Sequence, residues 1–404
     1  MGISHRELSA GSFFDQGGAI SEFLFPARLI VRRGASADLP TILDTIPVDA
    51  DVFVVADPIL RSLGVIDPIT TALKNSGRGV VVFDRIVGEP QAADVQAGID
   101  LARSSASGIF VGIGGGSALD GAKMIALGSR LSQSIEEVSG KQEELDSFPP
   151  LVLIPTTTGT GSEATRVAMY AVNGTKRAIL STQFVPAIAV LDADLVAALP
   201  APIVAATALD ALAHAVESMM STVSNPLTEL FAVEAARLII ENLPAAQAPD
   251  GQSARGLLLY ASFLSGVALN AGVVVGHSLS YVIAGQHGLS HGVGCALALP
   301  YCIAYNSRMS ADRGRAIARR LLDDDEADLE QLSRVTRQLA EEAGLPVSLA
   351  ELPTPVAPAE EMATTLVTNY PRPTNPVPLD PGLLAALFSR MVHGDLDGAW
   401  KDLK

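Results

Sequence analysis

Three of the six histidines in this chain fall in one apolar, glycine-rich segment, Gly272-Val-Val-Val-Gly-His277-Ser-Leu-Ser-Tyr281-Val-Ile-Ala-Gly-Gln-His287-Gly-Leu-Ser-His291-Gly-Val-Gly. Imidazole is the commonest metal ligand and the one side chain that ordinarily titrates near neutrality. Some sixty residues earlier lies Ala208-Leu-Asp210-Ala-Leu-Ala-His214-Ala-Val-Glu217. Asp210 and His214 are four apart, so a helix carries both on one face. That face is otherwise alanine, valine and leucine, and a buried carboxylate there needs a partner. One reading is a simple Asp–His pair. The other is a metal held by Asp210 and His214, with His277 and His291 completing the set and the Gly285–Gly288 break turning both inward. One carboxylate and three imidazoles suit Fe2+ or Zn2+. His287 reads first as a loop histidine and second as a proton carrier.

A second set of residues suits a nucleotide. The strand Gly108-Ile-Phe-Val-Gly-Ile runs into Gly114-Gly115-Gly116-Ser117 and then a helix, Ala118-Leu-Asp120-Gly-Ala-Lys123. Glycines there let backbone approach a phosphate, and the helix start offers free N–H groups. The spacing is neither G-x-G-x-x-G nor a P-loop. Further on, Pro155-Thr156-Thr157-Thr158-Gly159-Thr160-Gly161-Ser162-Glu163 lines a strand end with hydroxyls. Asp57 follows the run Phe53-Val-Val-Ala. There it either caps a helix or holds a ribose 2′-hydroxyl, which would favour NAD(H) over NADP(H).

The elements that must position these groups follow from periodicity. Strands are expected at 29–31, 52–56, 79–83, 108–112, 151–154 and 187–191. Helices are expected at 36–45, 68–75, 92–104 and 117–129, with Asp94 and Ser117 near their starts. Such alternation predicts a mostly parallel sheet covered by helices, with ligands at the carboxyl ends of its strands. After Leu199-Pro-Ala-Pro202 the strand signals fade into long Ala- and Leu-rich stretches, predicting an all-α second half. The expected division is an α/β domain over 1–199 and a helical domain over 200–404. The apolar window 262–285 reads as one buried helix, not a membrane span.

Composition sets the class. The chain has 404 residues, 48% hydrophobic and 18% charged, with 28 basic against 44 acidic side chains and a net charge of −16. That balance argues against nucleic acid and anionic membranes as partners. The two cysteines, Cys295 and Cys302, read as buried packing residues in a reducing compartment. The start, Met-Gly-Ile-Ser-His-Arg, has no signal-peptide pattern. A cytoplasmic protein is the expectation.

Taken in order, these motifs resemble the iron-dependent (group III) alcohol dehydrogenases of the dehydroquinate-synthase-like fold. The likeness runs through Gly114–Lys123, Pro155–Glu163, Asp192-Ala-Asp194, Asp210–Ser218, His277, His291-Gly, Leu299-Pro300 and Thr374-Asn375-Pro376. It implies Asp210, His214, His277 and His291 as metal ligands, with Fe2+ first and Zn2+ second. It implies Gly114, Gly115, Gly116, Ser117, Asp120, Asp57, Thr156, Thr157, Thr160 and Lys176 around NAD(H). It further implies a site in the cleft between the halves, a small alcohol or aldehyde as substrate, and a homodimer or larger assembly. Many relatives carry a histidine four residues after the third ligand. Here that position is Tyr281, a proton donor only if its phenol is tuned. Glu89 stands where relatives often have asparagine. His277-Ser-Leu-Ser-Tyr281 is similar to a branch that includes phosphonoacetaldehyde reductases. Alternatives are a metal-free maleylacetate-reductase-like enzyme, a cyclase using NAD transiently, and a non-catalytic nucleotide-binding relative.

Overall fold

The computed structural model describes residues 23–140, 144–172 and 174–403; the chain start, on which the signal-peptide expectation rests, lies outside the described residues. Six strands form one sheet: β1 (Arg28–Val31), β2 (Asp51–Ala56), β3 (Val80–Phe83), β4 (Ser107–Gly114), β5 (Leu151–Pro155) and β8 (Ile188–Leu191). Their order is β1-β8-β5-β4-β2-β3, and every pairing is parallel. A parallel sheet is covered on both faces, which is why its strands read as continuous apolar runs. In β2, Phe53 and Val55 join one core and Val52, Val54 and Ala56 the other. Short helices α1 (Leu39–Leu43), α2 (Pro58–Ser62) and α3 (Ile66–Asn75), with α4 (Ala92–Ser104) and α5 (Gly116–Gly128), supply the crossovers.

The expected strands and helices of this half are all present. Two details differ. Gln91 and Gly115, not Asp94 and Ser117, occupy the N-cap positions of α4 and α5. An antiparallel hairpin, β6 (Val167–Val172) with β7 (Thr175–Leu180), lies apart from the main sheet and was not expected. The Asn173-Gly174 dipeptide was its turn signal in the sequence.

From Ala201 onward the described chain is helical: α6 (Ala201–Met220), α7 (Pro226–Gln247), α8 (Gln252–Leu269), α9 (Val275–His287), α10 (His291–Asn306), α11 (Ala311–Leu322), α12 (Leu329–Glu342), α13 (Ala359–Asn369), α14 (Pro381–Val392) and α15 (Leu396–Leu403). α6 is central, packed against α7, α8 and α10. It is also long and apolar enough to cross a membrane, but 89% of that window is buried inside the protein. The apolar window expected to be one helix is two, α8 and α9, parted at Gly272 with φ 78°. The break between His277 and His291 also falls later than expected. Gly285 stays inside α9, and Gly288, with φ 63°, ends the helix in the left-handed conformation that glycine tolerates.

Candidate active site

α6 turns Asp210 and His214 to one face, the first turn of α9 brings His277, and the first residue of α10 brings His291. Asp210 is buried, and its Oδ1 has no hydrogen-bond partner among the described residues. Three imidazoles surround that oxygen: Nε2 of His291 at 3.5 Å, of His214 at 3.7 Å and of His277 at 4.0 Å. Burial alone would push the Asp210 carboxyl up, but the three histidines outweigh it and hold the group below the ordinary carboxylate range. Burial lowers His214, and it lowers His291 to about 3, so both are neutral near pH 7 with a lone pair free. A buried oxygen left unpaired is costly unless something fills the gap. This donor set fits a divalent ion such as Fe2+ or Zn2+. It does not fit the simple Asp–His pair, which would spend Oδ1 on a hydrogen bond.

Two side chains complete the cluster that sequence reasoning did not single out. Glu217, buried and seven residues after Asp210 on the same helix, accepts from His277 Nδ1–H at 2.7 Å. Its other oxygen accepts from the backbone N–H groups of Val274 (2.9 Å) and His277 (3.2 Å) at the start of α9. The carboxylate therefore fixes the ring so that Nε2 faces Asp210, as outer partners of metal-binding histidines do. Its signal was the helical spacing from Asp210 and His214. Cys295 is the other. One helical turn after His291, its Sγ lies 3.5 Å from His291 Nε2 and 3.9 Å from His277 Nε2. Donor atoms of Asp210, His277, His291 and Cys295 all lie within 4.8 Å of one another. Both cysteines are buried as expected, and Cys295 also lies within reach of the histidine cluster. The i, i+4 spacing from His291 could have found it.

The nucleotide-suited loops also meet. β4 lies between β2 and β5, so their carboxyl ends stand side by side. Asp57 N–H donates to Ile113 O (3.2 Å) and Thr156 N–H to Gly114 O (2.9 Å). A Cβ on Gly115 would stand 3.3 Å from Thr157 Cγ2, and one on Gly116 only 2.6 Å from Thr160 Cγ2. The two glycines are thus what lets the loops close on each other and leave a half-buried cradle at the start of α5, with Ser117 in its first turn. Asp57 caps α2, accepting from Ile59 N–H at 3.0 Å. Asp120 takes no part in the cradle surface. Its oxygens accept from Ser162 Oγ (2.6 Å) and Met169 N–H (2.9 Å), tying the Thr loop to the hairpin. Lys123, fully buried, reinforces that tie through Ser162 Oγ (2.8 Å), Thr165 Oγ1 (3.0 Å) and Val167 O (2.8 Å).

Tyr281 stands beside the histidine cluster. Its ring lies 5.4 Å from that of His291, with Lys176 Nζ 5.1 Å and Arg372 Cζ 5.3 Å from its centroid. Burial raises its phenol above the ordinary value, so at neutral pH it holds its proton. Lys176 pairs with Glu89 at 2.9 Å. His287 is not part of the assembly. It ends α9, about 15 Å along the axis from His277 by helical rise, and bonds Thr354 through Nδ1.

Known proteins resemble this chain over most of its length. The family model "Iron-containing alcohol dehydrogenase" matches residues 26–193, and "Fe-containing alcohol dehydrogenase family, C-terminal" matches 204–392. The chain belongs to the iron-containing alcohol dehydrogenase family. Among other members, NAD-dependent methanol dehydrogenase of Bacillus methanolicus is 30% identical over 82% of this chain and 90% of its own length. Alcohol dehydrogenase 4 of Saccharomyces cerevisiae is 32% identical over 83% of this chain and 90% of its own. A crystal structure of 1,3-propanediol oxidoreductase superposes with a TM-score of 0.85 at 27% identity, over 92% of this chain and all of that one. As an iron-containing alcohol dehydrogenase this chain is an oxidoreductase, and the parallel sheet with its helical second half is the family fold.

Proposed function

We propose that the protein is a metal-dependent, NAD(H)-linked alcohol dehydrogenase working as a reductase of small aldehydes. The unpaired, buried Asp210 Oδ1 among three imidazoles carries the reading. When bound, a divalent ion supplies Lewis acidity to a carbonyl or alcohol oxygen, and the nicotinamide supplies hydride chemistry. The chain's own part is placement. Asp210, His214, His277 and His291 would hold the ion, with Fe2+ favoured by the family and Zn2+ equally acceptable to the donors. Gly115, Gly116 and Ser117 would hold the pyrophosphate, and Thr156, Thr157 and Thr160 the rest of the cradle. Asp57 would accept from a ribose 2′-hydroxyl and repel a 2′-phosphate, which favours NAD(H). Tyr281, which keeps its proton, would orient the substrate oxygen by donating to it.

Phosphonate-bearing aldehydes fall within this reading, supported by the likeness of residues 277–281 to that branch. A cytoplasmic homo-oligomer fits the acidic composition and the family likeness. The maleylacetate-reductase-like and non-catalytic alternatives are not favoured, since the metal donor set is intact. The test is metal analysis of purified protein with NADH and NADPH oxidation over an aldehyde panel. Asp210→Ala should lose bound metal and lower turnover by more than about 100-fold. Full activity in metal-free protein would overturn the assignment.

A further inference from the structure

Arg372 carries a charge that the site described so far leaves unexplained. Its Nε and Nη2 are buried and have no hydrogen-bond partner among the described residues. A guanidinium is always charged, and burying its donors unpaired is expensive. In a chain of net charge −16 a carboxylate partner would be easy to supply, yet none meets these two nitrogens.

Nor is Arg372 loosely placed. Thr374 O accepts from Thr222 N–H at 2.9 Å, and Thr374 Oγ1 donates to Val273 O at 2.6 Å. Asn375 N–H donates to Arg372 O at 3.0 Å, while Asn375 Oδ1 accepts from Val275 N–H at 2.9 Å. The loop bearing Arg372 is therefore tied to the first turn of α9, the turn that presents His277. The guanidinium lies against Tyr281, whose ring in turn lies against His291. Lys176 reaches the same tyrosine but is already paired with Glu89. Two cations thus meet at Tyr281 while the one carboxylate there, Glu89, is taken by Lys176, leaving Arg372 without a counter-charge.

We propose that Arg372 is the anion clamp of the substrate site: it binds a carboxylate, sulfonate or phosphonate carried by the aldehyde, and so sets the enzyme's substrate class. The inference rests on the metal-dependent aldehyde reductase reading. A guanidinium presents parallel N–H donors that match the oxygens of such groups two at a time, and a lysine could not replace that geometry. Held from its far end, a short substrate would place its carbonyl toward Asp210 and the histidines.

The experiment compares kcat/KM for aldehydes of matched length ending in methyl, hydroxyl, carboxylate, sulfonate or phosphonate, in metal-loaded wild-type enzyme and in Arg372→Met. The wild type should prefer at least one anionic member over the methyl and hydroxyl members by tenfold or more. Arg372→Met should lose about 30- to 1000-fold on that substrate, mostly in KM, with less than threefold change on the neutral ones. Arg372→Lys should recover only part. Equal losses on charged and neutral aldehydes, or a wild type that prefers neutral ones, would overturn the clamp. A second readout separates it from the reductase reading. Calorimetric binding of the unreactive acids propionate, ethanesulfonate and ethylphosphonate to the holoenzyme should be detectable in wild type and lost in Arg372→Met. Binding with no aldehyde turnover would sink the reductase reading and keep the clamp, whereas turnover without such binding would do the reverse.

Discussion

At the scale of single residues the site is defined by what lacks a partner. Asp210 Oδ1 and Arg372 Nε and Nη2 are buried and unpaired among the described residues, and each faces a part of the same small region. Cys295 adds a sulfur within reach of the same donors. Burial and the nearby Asp210 push its thiol well above the ordinary range, so in metal-free protein it is a neutral packing group. Its position relative to His277 and His291 predicts that a bound ion changes that state. Cobalt-loaded protein should show sulfur-to-cobalt charge-transfer absorption in the near ultraviolet. Cys295→Ser should abolish the band and weaken metal binding by about 10- to 100-fold. A spectrum unchanged by the substitution would leave Cys295 as packing alone. The clustering of Asp210, His214, His277 and His291 was legible in the sequence because four chemically distinctive residues stood out from apolar surroundings. Cys295 was not, because a cysteine among alanines and leucines looks the same whether it packs or ligates.

At the scale of elements, the strands were legible from their apolar runs, since a parallel sheet buries both faces. The hairpin β6–β7 was not, because its alternation is interrupted by Met169 and Ala171 on one strand and by paired charges on the other. What holds that hairpin to the Thr loop is a buried polar group of Asp120, Lys123 and Ser162, with Glu163 near Lys123. Both Glu163 oxygens lack hydrogen-bond partners among the described residues, and burial pushes its carboxyl from 4.5 up to about 7. The folded protein therefore keeps a proton that the unfolded chain releases. The stabilisation this gives is complete below about pH 4.5 and is lost as pH rises through 7, amounting to about 3 kcal/mol. Lys123, lowered by burial to about 8, acts in a separate window above that pH. Glu163→Gln should flatten the fall in unfolding free energy between pH 5 and 8, measured by denaturant titration. A variant that kept the wild-type slope would show that another group carries it.

At the scale of the whole molecule, function depends on how the two halves meet, and this was the least legible part. The sequence names the residues on each side, but packing between them rests on backbone approach, which leaves no chemical signature. The clearest contact is Gly161 against Gly266. Gly161, with φ 57°, ends the Thr loop of the sheet half, and Gly266 lies within α8. A Cβ on Gly266 would stand 2.2 Å from Gly161 O and 2.7 Å from Gly161 Cα. Nearby, Thr158 Oγ1 and Thr207 Oγ1 hydrogen-bond at 2.7 Å across the same boundary. These contacts set the distance from the glycine–threonine cradle to the Asp210–histidine cluster on α6, α9 and α10. Gly266→Ala must therefore displace the Thr loop, because the obstruction is backbone and not a side chain that can turn away. The expected cost is about 1–3 kcal/mol of stability from overpacking. The displaced cradle should also raise the dissociation constant for NADH several-fold, measured by fluorescence titration. Metal content should stay at the wild-type level, since the donors all lie in the helical half. Loss of metal along with NADH affinity would instead mean that the two halves hold each other's ligands in place as one unit.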